Sequence, residues 1–135
     1  MLFTLTYVSR ATRDFTPDEL GALAEQSSRD NAARHVTGVL LFAEGRFVQR
    51  LEGARDTVAA LYARIARDKR HTIVLTTDVR DLTHRVFAGW GMGFLDARTM
   101  LNQEPDEFWS RLPDTLLNDP TQADSIADRL RALLG

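Results

Sequence analysis

Two strand-like runs, residues 36–42 and 46–51, stand on either side of Ala43-Glu44-Gly45, and no other feature of the chain constrains its fold as strongly. A short glycine-containing loop between two such runs predicts an antiparallel hairpin. Side chains alternate along a strand, so Phe47, Gln49 and Leu51 share one face while Arg46, Val48, Arg50 and Glu52 share the other. That alternation drives an amide, Gln49, toward the core. A buried primary amide has two donor hydrogens and a carbonyl to satisfy, and leaving them unpaired costs roughly 1–3 kcal/mol. Either the core or a polar ligand must supply the partners.

The remaining elements follow from periodicity. Residues 2–9 alternate Phe3, Leu5 and Tyr7 against Thr4, Thr6 and Val8, a half-buried strand that turns Tyr7 inward as well. Thr16-Pro17-Asp18-Glu19 is a capping box with proline at the first helical position. The helix it opens carries Leu20, Leu23 and Ala24 on one face and runs to about Asn31. Val58, Leu61, Tyr62 and Ile65 recur at helical spacing opposite Arg55, Asp56, Arg64 and Arg67, which predicts a second amphipathic helix ending near Asp68. The β-branched run 73–77 predicts a fourth strand, and residues 89–95 a fifth on which Trp90, Met92 and Phe94 share a face. Pro105, Pro113 and Pro120 punctuate the tail, leaving a short helix over 106–112 and an amphipathic one over 121–134 with Ile126, Leu130, Leu133 and Leu134 on its apolar side.

The order β-α-β-β-α-β-β predicts an α+β, ferredoxin-like sandwich, with two helices on one sheet face and a C-terminal helical extension on the other. Residues 1–97 would form the main domain and 98–135 the extension. Cysteine is absent from the 135 residues, which excludes a disulfide framework, a zinc-thiolate site and a thiol nucleophile. Redox chemistry would then need tyrosine, tryptophan or a bound cofactor. The N-terminus lacks a basic signal-peptide region, and no apolar run approaches the roughly 18 residues of a membrane span, so a soluble, cytoplasmic protein is expected. A formal net charge of −2 with arginines dispersed among acids speaks against nucleic acid and membrane partners. His35, His71 and His84 have no metal-ligand spacing, so no metal site is expected.

Tyr7 is a potential one-electron donor, and Gln49 can donate and accept hydrogen bonds at once. With Asn31 at the rim between the two main helices, these inward polar groups suit a flat heteroaromatic ring bearing carbonyls and imides, such as an isoalloxazine. Singly, each residue also fits an ordinary structural role: a core tyrosine bonded to a carbonyl, an amide closing a sheet edge, an asparagine ending a helix.

Together with their neighbours the three residues carry more. The sequence resembles the BLUF family, the sensors of blue light using flavin, at Leu5-Thr6-Tyr7-Val8-Ser9, at Ser28-Arg29-Asp30-Asn31 followed by Val36-Thr37-Gly38-Val39-Leu40, and at Phe47-Val48-Gln49-Arg50-Leu51-Glu52-Gly53. The resemblance continues through Ile65-Ala66-Arg67-Asp68-Lys69-Arg70-His71 and Arg85-Val86-Phe87-Ala88-Gly89-Trp90-Gly91-Met92. His35 stands where many members have glycine, and Asp30 fills a variable position.

The resemblance implies a flavin held noncovalently between the helices, FAD in the first place, with FMN or riboflavin as alternatives. It implies that Asn31 bonds the carbonyl edge of the ring, that Arg64 and Asp68 hold the pyrimidine side, and that Gln49 lies between Tyr7 and the ring. Light-driven transfer of an electron and a proton from Tyr7 would leave the Gln49 hydrogen-bond network rearranged, with Trp90 and Met92 relaying the change. Arg70 and His71 belong to the resembling motif too, and the charged helix end gives them a structural reading. Such a chain is a photoreceptor and not an enzyme, acting as a homo-oligomer or on an unidentified downstream protein. Two other readings stand beside it. A small hydrolase of acylphosphatase type shares the element order, but Ala11-Thr12-Arg13-Asp14 offers one arginine without a glycine-rich phosphate cradle. A flavin-free interaction module of the same fold is opposed by the intact Tyr7, Asn31 and Gln49.

Overall fold

The computed structural model describes residues 2–99 and 106–135. Pro105, read from the sequence as a break in the tail, lies outside the described residues, as does the stretch 100–105 of the expected extension. Five strands form one sheet: β1 (Leu2–Ala11), β2 (Thr37–Ala43), β3 (Arg46–Ala54), β4 (His71–Leu82) and β5 (Gly93–Asp96). Their order is β4-β1-β3-β2-β5, antiparallel throughout except for the β2–β5 pair. Helix α1 (Pro17–Ala33) connects β1 to β2, and α2 (Arg55–Ala66) connects β3 to β4. These two split β-α-β units, each with a strand of the other inserted, are the ferredoxin-like arrangement the sequence predicts. Three further helices follow, α3 (Asp106–Ser110), α4 (Leu112–Asn118) and α5 (Ala123–Leu134).

Strand alternation sorts the sheet into two cores. Phe3, Leu5, Tyr7, Leu40, Phe47 and Leu51 point to the face covered by α1 and α2, where Leu20, Val58 and Leu61 meet them. Val8, Val39, Leu41 and Val48 point the other way, onto Trp109, Leu112, Leu116, Ile126 and Leu130 of α3, α4 and α5. The hairpin register pairs Leu40 with Gln49 and closes on a two-residue turn in which Glu44 and Gly45 have φ of 51° and 75°. Positive φ at both turn positions matches the right-handed twist of the strands, and glycine takes the second without cost.

Helix α1 begins as expected. Thr16 accepts from the Glu19 N–H and the Glu19 carboxylate accepts from the Thr16 N–H, a complete capping box. Its end is a Schellman turn: Val36 N–H donates to Asn31 O and His35 N–H to Ala32 O, with His35 at φ 58°.

Three expectations need correction. Strand β4 runs over twelve residues instead of 73–77. It continues past a bulge at Asp78, whose φ is 54°, where the β1 register slips between Thr4 and Thr6. Pro113 does not interrupt the tail; it lies in the first turn of α4, where a missing N–H has no helical partner to lose. The fifth strand starts only at Gly93, so Trp90 and Met92 precede it and do not share a face. The physical reason is where the backbone donors go. Val86 and Phe87 give their N–H groups to the Glu52 carboxylate, and Trp90 turns back to donate to Phe87 O, leaving no ladder for residues 86–90.

Candidate functional site

A cavity of about 240 Å³ opens between α1 and α2, over the middle of β1 and β3. Tyr7, Asn31, Gln49, Arg64 and Asp68 all line it. The β1–β3 register sets Tyr7 directly opposite Gln49, both buried, so the two meet by strand geometry and not by chance of side-chain length. The Tyr7 hydroxyl donates to Gln49 Oε1 at 2.5 Å, and Gln49 Nε2 donates to Met92 Sδ at 3.5 Å. These bonds fix which end of the amide is which, because the thioether can only accept. Burial, with Tyr62 and Asp68 nearby, pushes the Tyr7 hydroxyl well above its ordinary value, so it is a phenol throughout the physiological range.

Asn31 Nδ2 donates to Gly91 O at 3.1 Å. The amide thereby ties α1 to the segment that carries Met92. At the end of α2, Asp68 receives the Arg70 guanidinium on both carboxylate oxygens and the Arg70 N–H on one. Those bonds hold its carboxyl at about 2. Asp68 therefore orients Arg70, which also lines the cavity.

Sequence reasoning gave Arg70 and His71 a purely structural place, yet both stand on the cavity wall. Their position in the resembling motif was the signal that could have found them. His71 Nε2 lies 2.7 Å from Ile65 O, a carbonyl that only accepts, so Nε2 carries a hydrogen. Its Nδ1 lies 2.7 Å from Ser9 Oγ, and the ring meets Tyr7 edge-on at a centroid distance of 5.8 Å.

Trp90 lies outside the cavity. It packs on the opposite core beside Phe87, at 5.7 Å between centroids, under the Arg131 guanidinium of α5, 4.1 Å from the ring centroid. Met92 alone of the pair faces Gln49. Among the described residues, no cluster of three or more histidine, aspartate or glutamate side chains could hold a metal ion, and no helix is long and apolar enough to cross a membrane.

The residues suit a planar heteroaromatic ring. Leu40, Phe47, Leu61 and Ile65 supply apolar walls, while Asn31, Gln49, Arg64 and Arg70 gather hydrogen-bonding groups around them. Comparison with known proteins agrees. Residues 2–93 match the family described as BLUF, sensors of blue-light using FAD, and the chain belongs to that family.

Within it, the chain is 46% identical over 86 residues to the photoactivated adenylate cyclase subunit beta of Euglena gracilis, a match that takes in 64% of this chain and 10% of that protein. The chain thus spans about a tenth of the length of that curated relative. Among solved structures it is similar to BlrB, a BLUF protein in its dark state, with a TM-score of 0.82 and 28% identity over 98% of this chain and 97% of that one. It also resembles Klebsiella pneumoniae BlrP1 solved with FMN and cyclic diGMP, at a TM-score of 0.70 and 31% identity over 90% of this chain and 36% of that one.

The chain is therefore a blue-light sensor that uses a flavin. The hydrolase alternative finds no support: Arg13, its one arginine, is occupied by Asp14 O and the Glu19 carboxylate.

Proposed function

We propose that Tyr7 and Gln49 are the photoactive pair of this sensor, and that Met92 reads the state of the Gln49 amide. The observation that carries the reading is the chain of contacts Tyr7 Oη–H to Gln49 Oε1 and Gln49 Nε2–H to Met92 Sδ, in which Tyr7 and Gln49 line the cavity between the helices. Asn31, Arg64 and Asp68 would hold the flavin, Asp68 through the arginine it orients. When bound, the flavin supplies a one-electron oxidant that exists only under blue light. FAD is the family's cofactor, and FMN, present in the Klebsiella relative's structure, presents the same ring.

Tyr7 enters as a neutral phenol with its proton already directed at Gln49 Oε1. Loss of an electron makes a phenol strongly acidic, so the proton moves to Oε1, the acceptor in place. A bound flavin would supply, besides the electron acceptor, a ring nitrogen able to take an N–H proton. An amide protonated on Oε1 could then pass one proton on, rotate, and hand a proton back when the electron returns. When the electron and proton return to Tyr7, the amide can remain turned, with its nitrogen toward Tyr7 and its oxygen toward Met92. Sulfur has no hydrogen to donate there, so the Met92 contact is lost and the two arrangements are distinct.

Residues 1–97 would serve as the sensor and 98–135 as the extension that receives the change through the segment carrying Met92 and Trp90. The chain would work in the cytoplasm without chemistry of its own, by changing self-assembly or the grip on a downstream protein. The cyclase named for the Euglena relative suggests one kind of effector. Tyr7→Phe removes the electron donor and the proton while keeping the ring. The variant should bind flavin and stay yellow but lose the reversible red shift under blue light; a normal photocycle in Tyr7→Phe would refute the assignment.

A further inference from the structure

The segment 83–92 leaves β4, crosses the end of the sheet and delivers Met92 to Gln49, and the geometry points to Glu52 as the residue that positions it. Glu52 lies on the same strand as Gln49 but on the opposite face, fully buried. Its carboxylate accepts four hydrogen bonds. Oε1 takes the Thr37 hydroxyl at 3.0 Å and the Phe87 N–H at 2.9 Å; Oε2 takes Arg50 Nε at 3.1 Å and the Val86 N–H at 2.9 Å. Two of these donors are consecutive backbone groups of the segment itself.

Arg85, the residue before them, reinforces the grip by donating to Glu52 O, Thr37 Oγ1 and His35 O. Further along, Gly38 N–H donates to Trp90 O and Asn31 to Gly91 O. Strand β3 therefore holds both ends of the segment, by Glu52 at its start and by Gln49 at Met92.

Charge makes the hold specific. Carboxylate acceptors form stronger bonds than neutral ones, and the carboxylate can accept all four donors without offering a hydrogen of its own. Glutamine at position 52 would turn an NH₂ group toward one pair of donors, either Thr37 and Phe87 or Arg50 and Val86. The backbone N–H on that side, half-buried at Val86 or buried at Phe87, would lose its partner. Glu52 is thus a positioning residue for the Gln49–Met92 contact, acting from the far side of the sheet without touching the cavity. This deepens the proposed function and rests on Met92 being the reader of Gln49.

The test uses protein carrying ¹³C-methyl methionine, in which Met92 reports its own surroundings, together with hydrogen exchange at Val86 and Phe87. Glu52→Gln should speed exchange at whichever of the two amides, Val86 or Phe87, faces the new NH₂ group, move the Met92 methyl resonance in the dark, and change dark recovery after blue light by about tenfold. Flavin content should stay at the wild-type level. Asp78→Asn is the control, because Asp78 contacts Arg50 and Arg80 but no residue of the segment; it should leave the Met92 resonance in place.

Should Glu52→Gln fail to fold, Thr37→Val, which removes one of the four bonds, decides by the same resonance, and an unmoved signal there overturns the proposal. A folded Glu52→Gln with an unchanged Met92 resonance overturns it too, as does Asp78→Asn moving that resonance equally. A wild-type protein that shows no red shift would instead sink the proposed function, so the two failures are distinguishable.

Discussion

Gln49 owes its partner on one side to strand register and on the other to a loop. Tyr7 sits opposite it because β1 and β3 pair antiparallel with those two residues in step, a relation that alternation in both strands already implied. Met92 reaches it only through the tertiary path of residues 83–92, which no periodicity encodes. His35 shows the same mixture. Its φ of 58° falls in the left-handed region, which explains why glycine suits this position and why histidine there is strained. None of the bonds that fix the turn uses the imidazole: Val36 N–H donates to Asn31 O, His35 N–H to Ala32 O, and the Arg85 guanidinium to His35 O. His35→Gly keeps every one of them and relieves the strain of a Cβ at positive φ, worth about 1 kcal/mol. Thermal unfolding should shift upward by a few degrees, and an unchanged or lower midpoint would show that the imidazole makes a compensating contact.

At the level of elements, the segment before β5 is pressed against α1 so closely that one position tolerates no side chain. A Cβ on Gly91 would lie 2.5 Å from Ser28 O and 2.9 Å from Ser28 Oγ. The nearer atom is helix backbone and cannot swing aside. Gly91→Ala should push the segment off α1, break the Asn31–Gly91 bond and draw Met92 away from Gln49. Overpacking of this kind costs about 1–3 kcal/mol. A lowered unfolding midpoint and weakened flavin retention are the expected results, measured by thermal melts with and without added FAD; a variant that matches wild type in both would mean the segment can move freely.

The elements built on local signals were legible in the sequence: the capping box of α1, the hairpin, the stripe of α2, and the apolar face of α5. Those decided by distant partners were not. Residues 89–92 look like a strand, yet Glu52, far away in sequence, takes the N–H groups of Val86 and Phe87, and the chain turns before it can join the sheet. The β4 bulge is equally hidden, because Asp78 is drawn to Arg50 at 2.7 Å by charge and not by any strand propensity. The cavity residues Tyr7, Asn31 and Gln49 stood out as polar groups aimed inward, whereas Arg70 looked like ordinary surface charge at a helix end.

Across the whole molecule, the sheet separates a cavity on one face from a helical layer on the other, and the segment 83–92 touches both. Met92 belongs to the α1–α2 side, while Trp90, two residues away, packs with the opposite core beneath Arg131. Ionic contacts bind the same layer to the strands: Arg50, buried in the sheet, and Arg80 both pair with Asp124 at the start of α5. A shift of the segment on loss of the Gln49–Met92 contact would therefore reach α5 at its last turn, where Arg131 covers Trp90, more directly than at its first.

A cation–π contact of this sort is worth about 0.5–2 kcal/mol, depending on how far it is desolvated. That range changes a local opening equilibrium by a factor of about 2 to 30. Hydrogen exchange over 123–134 should accordingly differ between darkness and blue light, with the larger difference toward the C-terminal end. Arg131→Gln keeps length and polarity but removes the charge over the ring. The red shift should persist in that variant while the light–dark difference in α5 shrinks, and a full-sized difference would show that the change travels by another contact.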